Sequence, residues 1–385
     1  MNDRTIYFDH AATTPLDTAV MNAMLPYFSD DFGNTSSTHW YGQRAESALE
    51  GARKKIADSM NANANKIIFT SGGTESDNLA LRGCARKQLL ANKDHILVSP
   101  VEHPAVKMTA EYLAQYEGFS LEYLPVDSFG IVDPIDVEKR IKSTTAMVSV
   151  IAAQNEIGSI NPISELARIC AERGVVFHTD AVQYAAHFPL DFRKFPTGMI
   201  SLGAHKFYGP KGVGALIVSD SSALIPTQTG GGQEAGRRAG THNTPLIVGM
   251  ASAYEINISA NNSNIERMRQ LRDRIITGVL DEIPHSKLTG HPQLRLPNHA
   301  SFIFERLDAN ILLMLLDQAG FCCSSGSACK SGNPKPSEIL NSIGVSPDWA
   351  LGSLRVTLGR SNTEEDVERF LVSLPGLVER GRLLS

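Results

Sequence analysis

Residues 175–214 read VVFHTDAVQYAAHFPLDFRKFPTGMISLGAHKFYGPKGVG, and they contain two short apolar runs that are each followed by a charged residue. The run 175–177 predicts a buried strand, with Asp180 just past its carboxyl end. The run 199–202 predicts a second strand, and Lys206 follows it closely. Ligands of open α/β sheets bind at the carboxyl ends of the strands, so we expect the functional site at this edge.

A lysine and an aspartate at one sheet edge suit pyridoxal 5'-phosphate (PLP). This cofactor needs a lysine for its Schiff base and a carboxylate facing its pyridinium nitrogen. The carboxylate keeps the nitrogen protonated, because a nearby opposite charge favours the charged form. Taken singly, Lys206 and Asp180 would be a surface lysine and a helix-capping aspartate. The Gly-Pro-Lys-Gly turn at 209–212 and the polar loops described below favour the cofactor instead.

Strand and helix patterns alternate through the first two thirds of the chain. Apolar residues at helical spacing mark 42–60 and 163–173, and Gly174 follows the second as a C-cap. Apolar runs typical of buried strands occur at 67–69, 96–98, 121–126, 146–152, 175–177, 199–202 and 215–218. Such alternation predicts an α/β fold with a mainly parallel, seven-stranded sheet between helices.

The last third of the chain predicts a smaller α+β domain. Its expected elements are a helix near 265–282, a strand at 301–305, a helix at 310–319, strands near 321–325 and 354–358, and a terminal helix after Thr363. The polar stretch 257–264 is expected to be a surface boundary or a helix with a frayed turn. We therefore expect a large domain at 15–260 and a small domain built from 1–14 and 261–385.

Composition limits the class of protein. A chain of 385 residues suggests about two domains, and 42% hydrophobic with 20% charged residues are ordinary for a soluble globular protein. The formal net charge of -5 argues against a nucleic-acid or membrane-surface binder, and no apolar stretch is long enough to span a bilayer. The N-terminal MNDRTIYFDHAATTP has no signal-peptide core and no transit-peptide character, which predicts a cytoplasmic protein.

The five cysteines are Cys84, Cys170, Cys322, Cys323 and Cys329. Their odd number and irregular spacing predict no disulfide framework and no paired CxxC site, so we expect no metal. In a reducing compartment they are buried or reactive free thiols. Cys84 and Cys170 fall within helical patterns and are expected in the core.

Polar residues also follow the other predicted strands. The segment SGGTES at 71–76 turns a strand into a helix, whose first amides and the Thr74 hydroxyl can bind a phosphate. The alternative is an ordinary capped turn. His103 follows the next strand, where it can stack on a flat cofactor or simply cap a helix. Asn155 supplies an amide after a later strand, and Gln183 can donate to the phenolate oxygen of PLP.

These segments belong to a longer series of motifs. In chain order they are YFDHAATTP, GNTSSTHWYG, SGGTESDN, EHPAV, NEIG, HTDAVQ, AHKFYGPKG, RRAGTHNTPLIVG, SSGSAC and LRVTLGRSNTEED. With this series the chain resembles the cysteine desulfurases of the class V aminotransferase family, which are PLP-dependent transferases of fold type I. The likeness covers nearly the whole chain, and it implies that fold, that cofactor and a homodimer.

The resemblance implies a role for each residue at the sheet edge. Lys206 would carry the cofactor as a Schiff base, Asp180 would pair with the pyridinium nitrogen, and His103 would stack on the ring and take part in catalysis. The other implied cofactor contacts are Gly73, Thr74, Asn155, Gln183, His205 and, from the neighbouring subunit, Thr241. The implied substrate contacts are Asn34, Asn155 and Arg355. A bidentate arginine suits a carboxylate on physical grounds as well.

Cys329 lies at the end of SSGSAC, a stretch of small residues at 324–329. The resemblance implies that its thiolate attacks the sulfur of PLP-bound L-cysteine, which releases L-alanine and leaves a persulfide on Cys329. The sulfur would then pass to an iron–sulfur scaffold protein or another acceptor. Cys322 and Cys323 fall in the preceding apolar run, where buried packing is expected.

Two residues depart from the family pattern. Gly203 stands where a serine is common, so one hydroxyl expected at the phosphate is missing. Lys330 stands where serine or threonine is common, and it either favours the thiolate electrostatically or is simply solvated.

The residues leave three functions to weigh. The first is a cysteine desulfurase that feeds sulfur to iron–sulfur cluster assembly or another acceptor. The second is selenocysteine lyase or a related PLP-dependent β-elimination, which the SSGSAC stretch disfavours. The third is a non-catalytic, PLP-bearing protein that docks sulfur carriers. The presence of Lys206, Asp180, Cys329 and Arg355 together argues against this last alternative.

Overall fold

The structure is a computed structural model, and it describes residues 5–220, 223–259, 261–326 and 336–385. Within these ranges the strands are β1 (Ile6–Tyr7), β2 (Ile67–Thr70), β3 (His95–Val98), β4 (Ser120–Tyr123), β5 (Thr145–Ser149), β6 (Val176–Asp180), β7 (Gly198–Gly203), β8 (Gly214–Val218), β9 (Ser286–Leu288), β10 (His299–Phe304), β11 (Phe321–Cys322) and β12 (Ser353–Thr357). The α-helices in the same ranges are α1 (Thr18–Met24), α2 (Pro26–Ser29), α3 (Trp40–Ser59), α4 (Gly73–Leu89), α5 (Pro104–Tyr116), α6 (Pro134–Arg140), α7 (Ile163–Glu172), α8 (Thr244–Ser259), α9 (Asn261–Glu282), α10 (Ala309–Gln318), α11 (Glu338–Ser342), α12 (Pro347–Ala350) and α13 (Glu364–Leu384).

Strands β2 to β8 form one sheet in the order β2-β8-β7-β6-β5-β3-β4. All neighbouring pairs between β7 and β4 are parallel, whereas β8 is antiparallel to both β7 and β2. The connection from β7 to β8 covers only residues 204–213, and parallel neighbours need a longer crossover. The predicted α/β fold with a mainly parallel seven-stranded sheet is confirmed, and each predicted apolar run supplies one strand.

Successive side chains of the strands point to opposite faces of the sheet, and each face is covered by its own layer of helices. Phe177 and Ile200 pack on the face covered by α3, α7 and α8, whereas Val176 and Met199 pack on the face covered by α4 and α5. Burial on both faces favours the apolar runs of the central strands. The polar side chain of His178 is buried among them and hydrogen-bonds to Ser149 and Ser201. The sheet is therefore a buried central layer between the two helical layers.

The carboxyl ends of β2, β6 and β7 lie at the same edge of this sheet. Asp180 at the end of β6 pairs with Ser201 on the parallel β7. Thr70 at the end of β2 and Gly203 at the end of β7 both pair with Gly214, the first residue of β8. The loops that follow these strands therefore converge on one side of the molecule, as the sequence predicts.

A second core lies outside the large sheet. Strands β12, β10 and β9 form an antiparallel sheet in that order, and β1 pairs in parallel with β11. Ile6 and Phe8 from the N-terminal segment pack there with α9, α10 and α13. A smaller cluster that includes Ile151 and Ile303 joins this region to the large sheet. We propose two domains on this basis, one at 15–260 and the other made from 1–14 and 261–385.

The structure decides between the alternatives predicted for the polar stretch 257–264, whose described residues are helical, and it shortens one predicted strand. Helix α8 extends to Ser259 and α9 begins at Asn261, and within the polar stretch Asn257 is buried. Its side-chain amide donates to the carbonyl oxygens of Ala185 and Ala186, so a surface position is wrong for this residue. The strand predicted near 321–325 is the short β11. Among the described residues, no helix combines the length and apolar character needed to cross a membrane.

Candidate active site

The loops that follow β2, β3, β5, β6 and β7 enclose a cavity of about 210 Å³. The structure brings together there every cofactor residue that the sequence predicts from one subunit: Gly73, Thr74, His103, Asn155, Asp180, Gln183, His205 and Lys206. Asp77, Ile151 and Val182 also line the cavity. Five strand ends thus supply one site, because parallel strands deliver their following loops to the same edge.

Lys206 lies in the short turn after β7. Its Nζ donates to the carbonyl oxygens of Ala11 and Ala12, each at 2.6 Å. Burial and the positive charge of Arg355 lower the pKa of Lys206 to about 8, although Asp180 opposes this change. An amine with this pKa is partly uncharged near neutral pH, and only the uncharged amine attacks a carbonyl group.

Asp180 lies buried at the end of β6 and accepts a hydrogen bond from the Val182 amide at 2.9 Å. Burial and the neighbouring Asp77 raise the pKa of Asp180 to about 6. Burial raises the pKa of Asp77 itself to about 7. Among the described residues its Oδ1 has no hydrogen-bond partner, and His178 Nε2 lies 3.5 Å from it. Two buried acids side by side are costly without a compensating cation, so this corner of the cavity suits a positively charged group.

His103 caps a helix and also lines the cavity, a position from which stacking on a cofactor stays a prediction. Its Nδ1 accepts from the Ala105 amide at 3.1 Å and so caps α5, while the same side chain lines the cavity. Burial lowers the pKa of His103, and Lys206 lowers it further against the opposing effect of Asp180. The imidazole is therefore neutral near neutral pH. A neutral ring can stack on a cationic ring, whereas two cations would repel each other.

The first turn of α4 forms a further part of the cavity wall. A Cβ at Gly73 would lie 2.8 Å from Val182 Cγ2, so the packing requires a glycine there. Thr74 follows, and His205 faces the same cavity with its Nδ1 3.2 Å from Thr13 Oγ1. Backbone amides and the positive end of a helix dipole bind phosphate groups. This turn can therefore hold the phosphate of a cofactor.

Gln183, Asn155 and Arg355 already bond to the protein in this structure. Gln183 Nε2 donates to the Ala11 carbonyl oxygen at 2.8 Å. The Asn155 carbonyl oxygen accepts from Arg355 Nη1 at 3.0 Å, and Asp9 Oδ1 accepts from Arg355 Nη2 at 2.8 Å. Arg355 thus contacts Asn155, which lines the cavity, but Arg355 is not itself among the lining residues.

Other predicted residues lie away from the cavity or outside the described part of the chain. Asn34 is exposed, and its Oδ1 accepts from the Ser36 amide at 2.9 Å. Thr241 is exposed and does not line the cavity. Cys329 and the neighbouring Lys330 lie outside the described residues.

Each of the four cysteines that the structure describes has a raised pKa, which disfavours its thiolate form. Cys84 and Cys170 are buried in helices, as predicted, and burial raises the pKa of each thiol to about 12. Cys322 and Cys323 are half-buried, so the expected burial is only partial. Burial raises the pKa of both thiols, and nearby Asp9 adds to this effect. A raised pKa reduces the thiolate fraction and hence the reactivity.

The residues of this cavity fit PLP. Asp77 and Asp180 are neighbouring buried acids with raised pKa values, and a pyridinium nitrogen would offset their negative charge. The glycine-lined first turn of α4 offers amides to a phosphate. Lys206 stands with these groups at the same cavity, where a covalent link to an aldehyde can form.

Sequence reasoning missed two buried acids near the cavity. Asp77 lies one helical turn after Thr74, and Glu102 directly precedes His103. Glu102 Oε1 accepts from the Ile151 amide, and burial raises the pKa of Glu102 well above its ordinary value. For Asp77 a signal was present in the sequence. This residue lies three residues after Thr74 in a predicted helix, so both side chains are on the same helical face.

Comparison with known proteins agrees with this geometry. A model of the aminotransferase class-V family matches residues 6–370. A relative from Methanosarcina thermophila, named cysteine desulfurase IscS, is 44% identical, over 100% of this chain and 94% of the relative. The solved structure of a NifS-like protein has a TM-score of 0.91 at 34% identity, covering 98% of this chain and 100% of that one. A second structure, SspA in complex with cysteine, has a TM-score of 0.80 at 34% identity, and the match covers 93% of this chain and 100% of that one.

The fold and the match of the family model over most of the chain show that the protein belongs to the class V aminotransferase family. The resemblance inferred from the sequence motifs is thereby confirmed. Curated relatives at 40–45% identity include several that are named cysteine desulfurases, and the likeness covers 94–98% of their chains.

Proposed function

We propose that this protein is a PLP-dependent cysteine desulfurase. The observation that carries the proposal is the meeting of Lys206, Asp180 and His103 at one cavity. The chain that builds this cavity is 44% identical over its full length to a protein named cysteine desulfurase. The structure of SspA, which this chain resembles, was solved with cysteine and supports the same substrate.

PLP, when bound, supplies an electron sink for the amino acid attached to it. Lys206 would hold the cofactor, Asp180 would face its ring nitrogen, and the first turn of α4 with His205 would hold its phosphate. Lys206 Nζ, whose pKa is lowered to about 8, can take up or release a proton near neutral pH. Arg355 would bind the substrate carboxylate with its planar guanidinium group.

In the proposed reaction the Cys329 thiolate attacks the sulfur of L-cysteine, and the bond between that sulfur and Cβ breaks. The electron pair of the broken bond stays on carbon, which takes up a proton. The new sulfur–sulfur bond leaves Cys329 as a persulfide. L-cysteine and one thiol become L-alanine and one persulfide, so the reaction needs no external oxidant or reductant.

Homodimerisation, a cytoplasmic location and transfer of the sulfur to an iron–sulfur scaffold or another acceptor are further parts of the proposal. The homodimer and the sulfur acceptor rest on the sequence resemblance, and the location rests on the character of the sequence described above. Thr241 would then bind the phosphate in the neighbouring subunit, for which its exposed position leaves it available.

The test is to incubate the purified, PLP-loaded protein with L-cysteine and a thiol reductant, and to measure alanine and sulfide. We expect equal amounts of both. Cys329→Ser should lose alanine formation by at least ~100-fold, as expected when a nucleophile is removed. Cys322→Ala is the matched control and should keep turnover, because the raised pKa of Cys322 disfavours its thiolate.

Mass spectrometry of the wild type after brief exposure to L-cysteine should locate one extra sulfur on the peptide that contains Cys329. Sulfur on Cys322 or Cys323, or full turnover of Cys329→Ser, would contradict the assignment of the nucleophile. Alanine formation from L-selenocysteine alone, with none from L-cysteine, would favour a selenocysteine lyase.

A further inference from the structure

Arg355 is held from two sides by oxygen atoms of distant parts of the chain. The carboxylate of Asp9 accepts from its Nη2 at 2.8 Å, and the carbonyl oxygen of Asn155 accepts from its Nη1 at 3.0 Å. The side chain of Arg355 is only 8% exposed. Its backbone is also fixed, since its amide donates to the Ser324 carbonyl oxygen at 2.7 Å. The guanidinium group is therefore oriented before any substrate binds.

One hydrogen-bond donor of the same guanidinium group is unpaired among the described residues. Arg355 Nε is buried and has no hydrogen-bond partner among the described residues. A buried donor without an acceptor is costly, so an incoming acceptor gains by bonding to it. A carboxylate is such an acceptor, because it matches the planar fork of arginine. The substrate carboxylate would therefore share Arg355 with Asp9.

Asp9 is well placed to be a lasting second anion on this arginine. Its carbonyl oxygen accepts from the Tyr7 hydroxyl and from the Ala12 amide, each at 3.0 Å. Its backbone also bridges to Thr357 on the strand that carries Arg355. These bonds keep the backbone of Asp9 against β12, so its carboxylate stays close to the guanidinium group when another anion arrives.

We propose that Asp9 is a positioning residue that orients Arg355 and, as a competing anion, limits how tightly Arg355 binds the substrate carboxylate. This inference rests on the proposed function. Its chemical reason is that the product L-alanine keeps the carboxylate of L-cysteine and loses only the sulfur. An arginine that bound this carboxylate very tightly would retain the product, so a shared arginine favours its release.

The test measures carboxylate recognition by binding and not by turnover. L-alanine and L-alaninamide, which differ by the carboxylate, are titrated into PLP-loaded protein, and the absorbance of the cofactor reports the two Kd values. Their ratio defines the carboxylate preference. Asp9→Asn removes the charge and keeps an oxygen that can accept from Arg355. We expect it to raise the preference by about 10-fold, because repulsion between unit charges on one guanidinium group is of this order or larger.

Matched variants make the result decisive. Arg86 near the C-terminus of α4 pairs with Glu117, just after the C-terminus of α5, at 2.7 Å. Glu117→Gln removes one charge from this pair and should leave the carboxylate preference unchanged. Arg355→Lys should lower the preference. Asp9→Ser is a second test of the charge and should act in the same direction as Asp9→Asn.

Several outcomes would overturn the inference. If the carboxylate preference falls in both Asp9 variants, Asp9 only orients Arg355 and does not compete with the substrate carboxylate. A preference within about 2-fold of wild type, or one that survives in Arg355→Lys, means that Asp9 does not modulate carboxylate binding. Alanine production from L-cysteine by the wild type is measured in parallel. Turnover without the predicted shift rejects this inference alone, and the shift without turnover rejects the proposed desulfurase activity alone.

Discussion

Replacing Glu234 with glutamine should destabilise the protein by about 3 kcal/mol or more, because Glu234 is a buried anion at the centre of a hydrogen-bond network. Its carboxylate accepts from Arg53 Nη1 at 2.8 Å and Nη2 at 3.0 Å. It also accepts from the Phe69 amide at 3.1 Å, and His242 Nε2 lies 2.9 Å away. These bonds join α3, β2 and the segment that carries Thr241.

The magnitude follows from the ionisation of Glu234. Burial alone would raise its pKa, but hydrogen bonds from His242 and Arg53 lower it to about 2. Relative to the ordinary value of 4.5, this difference corresponds to ~3 kcal/mol of preference for the ionised form in the folded protein. Glutamine keeps the shape but leaves Arg53 buried with too little negative charge, which typically costs ~3–5 kcal/mol.

The sign of the pH dependence follows from the lowered pKa. A carboxylate with a lower pKa in the folded state stabilises it fully above the unfolded value, and that stability is lost as the pH falls. The difference between wild type and Glu234→Gln should therefore be full near neutral pH. It should shrink as the pH falls from about 4.5 towards about 2.

The measurement is urea unfolding followed by circular dichroism, at one protein concentration for all variants, since association changes apparent stability. The control is Glu50→Gln. Glu50 also accepts from Arg53, at 3.0 Å, but its side chain is 55% exposed. An exposed pair contributes ~0–1 kcal/mol, so this control should stay close to wild type. Equal losses in the two variants, or a loss below ~1 kcal/mol in Glu234→Gln, would refute the reasoning.

Two further predictions concern the cofactor. PLP affinity should fall as the pH is lowered through about 6, because burial and Asp77 raise the pKa of Asp180 to about 6 and a protonated carboxyl group no longer offsets a cationic ring nitrogen. Titration of cofactor-free protein with PLP checks this, and a pH-independent affinity in the wild type would contradict it. Gly203→Ser should strengthen PLP binding by ~0.5–1.5 kcal/mol, because a Cβ there would lie 3.4 Å from the Gly73 amide nitrogen in ordinary contact and bring a hydroxyl to the first turn of α4. Equilibrium dialysis against Gly203→Ala, which adds the carbon without the hydroxyl, isolates this effect, and equal affinities would exclude it.

Sequence reasoning predicted the position of residues that follow strands, which the structure places at the cavity. Asp180 and Lys206 each follow an apolar run. Parallel strands place their carboxyl ends at the same edge of the sheet, irrespective of the conformation of the connecting loops. Asp77 was missed because it lies inside a helical pattern, where an acid is usually a solvated residue. Only the packing of α4 on the sheet shows that its carboxyl group is buried against Asp180.

Arg355 shows a different limit. Its motif predicts an arginine for the substrate carboxylate, but no local pattern relates it to Asp9, which is 346 residues away in the chain. The contact arises because β1 pairs with β11 and the following residues, up to Asp9, run beside β12. Pairing between the two ends of a chain depends on the whole fold, and short-range spacing carries no information about it.

By itself, the sequence determined the order of strands and helices, the lysine and the aspartate at the strand ends, and the family, because periodicity and motifs are local properties of a chain. Only the tertiary structure decided which charged groups share a buried space, and therefore the protonation of Lys206, Asp77 and Asp180. The physical reason is that a pKa depends on burial and on the distance to other charges. Both are set by packing between residues that are far apart in the chain.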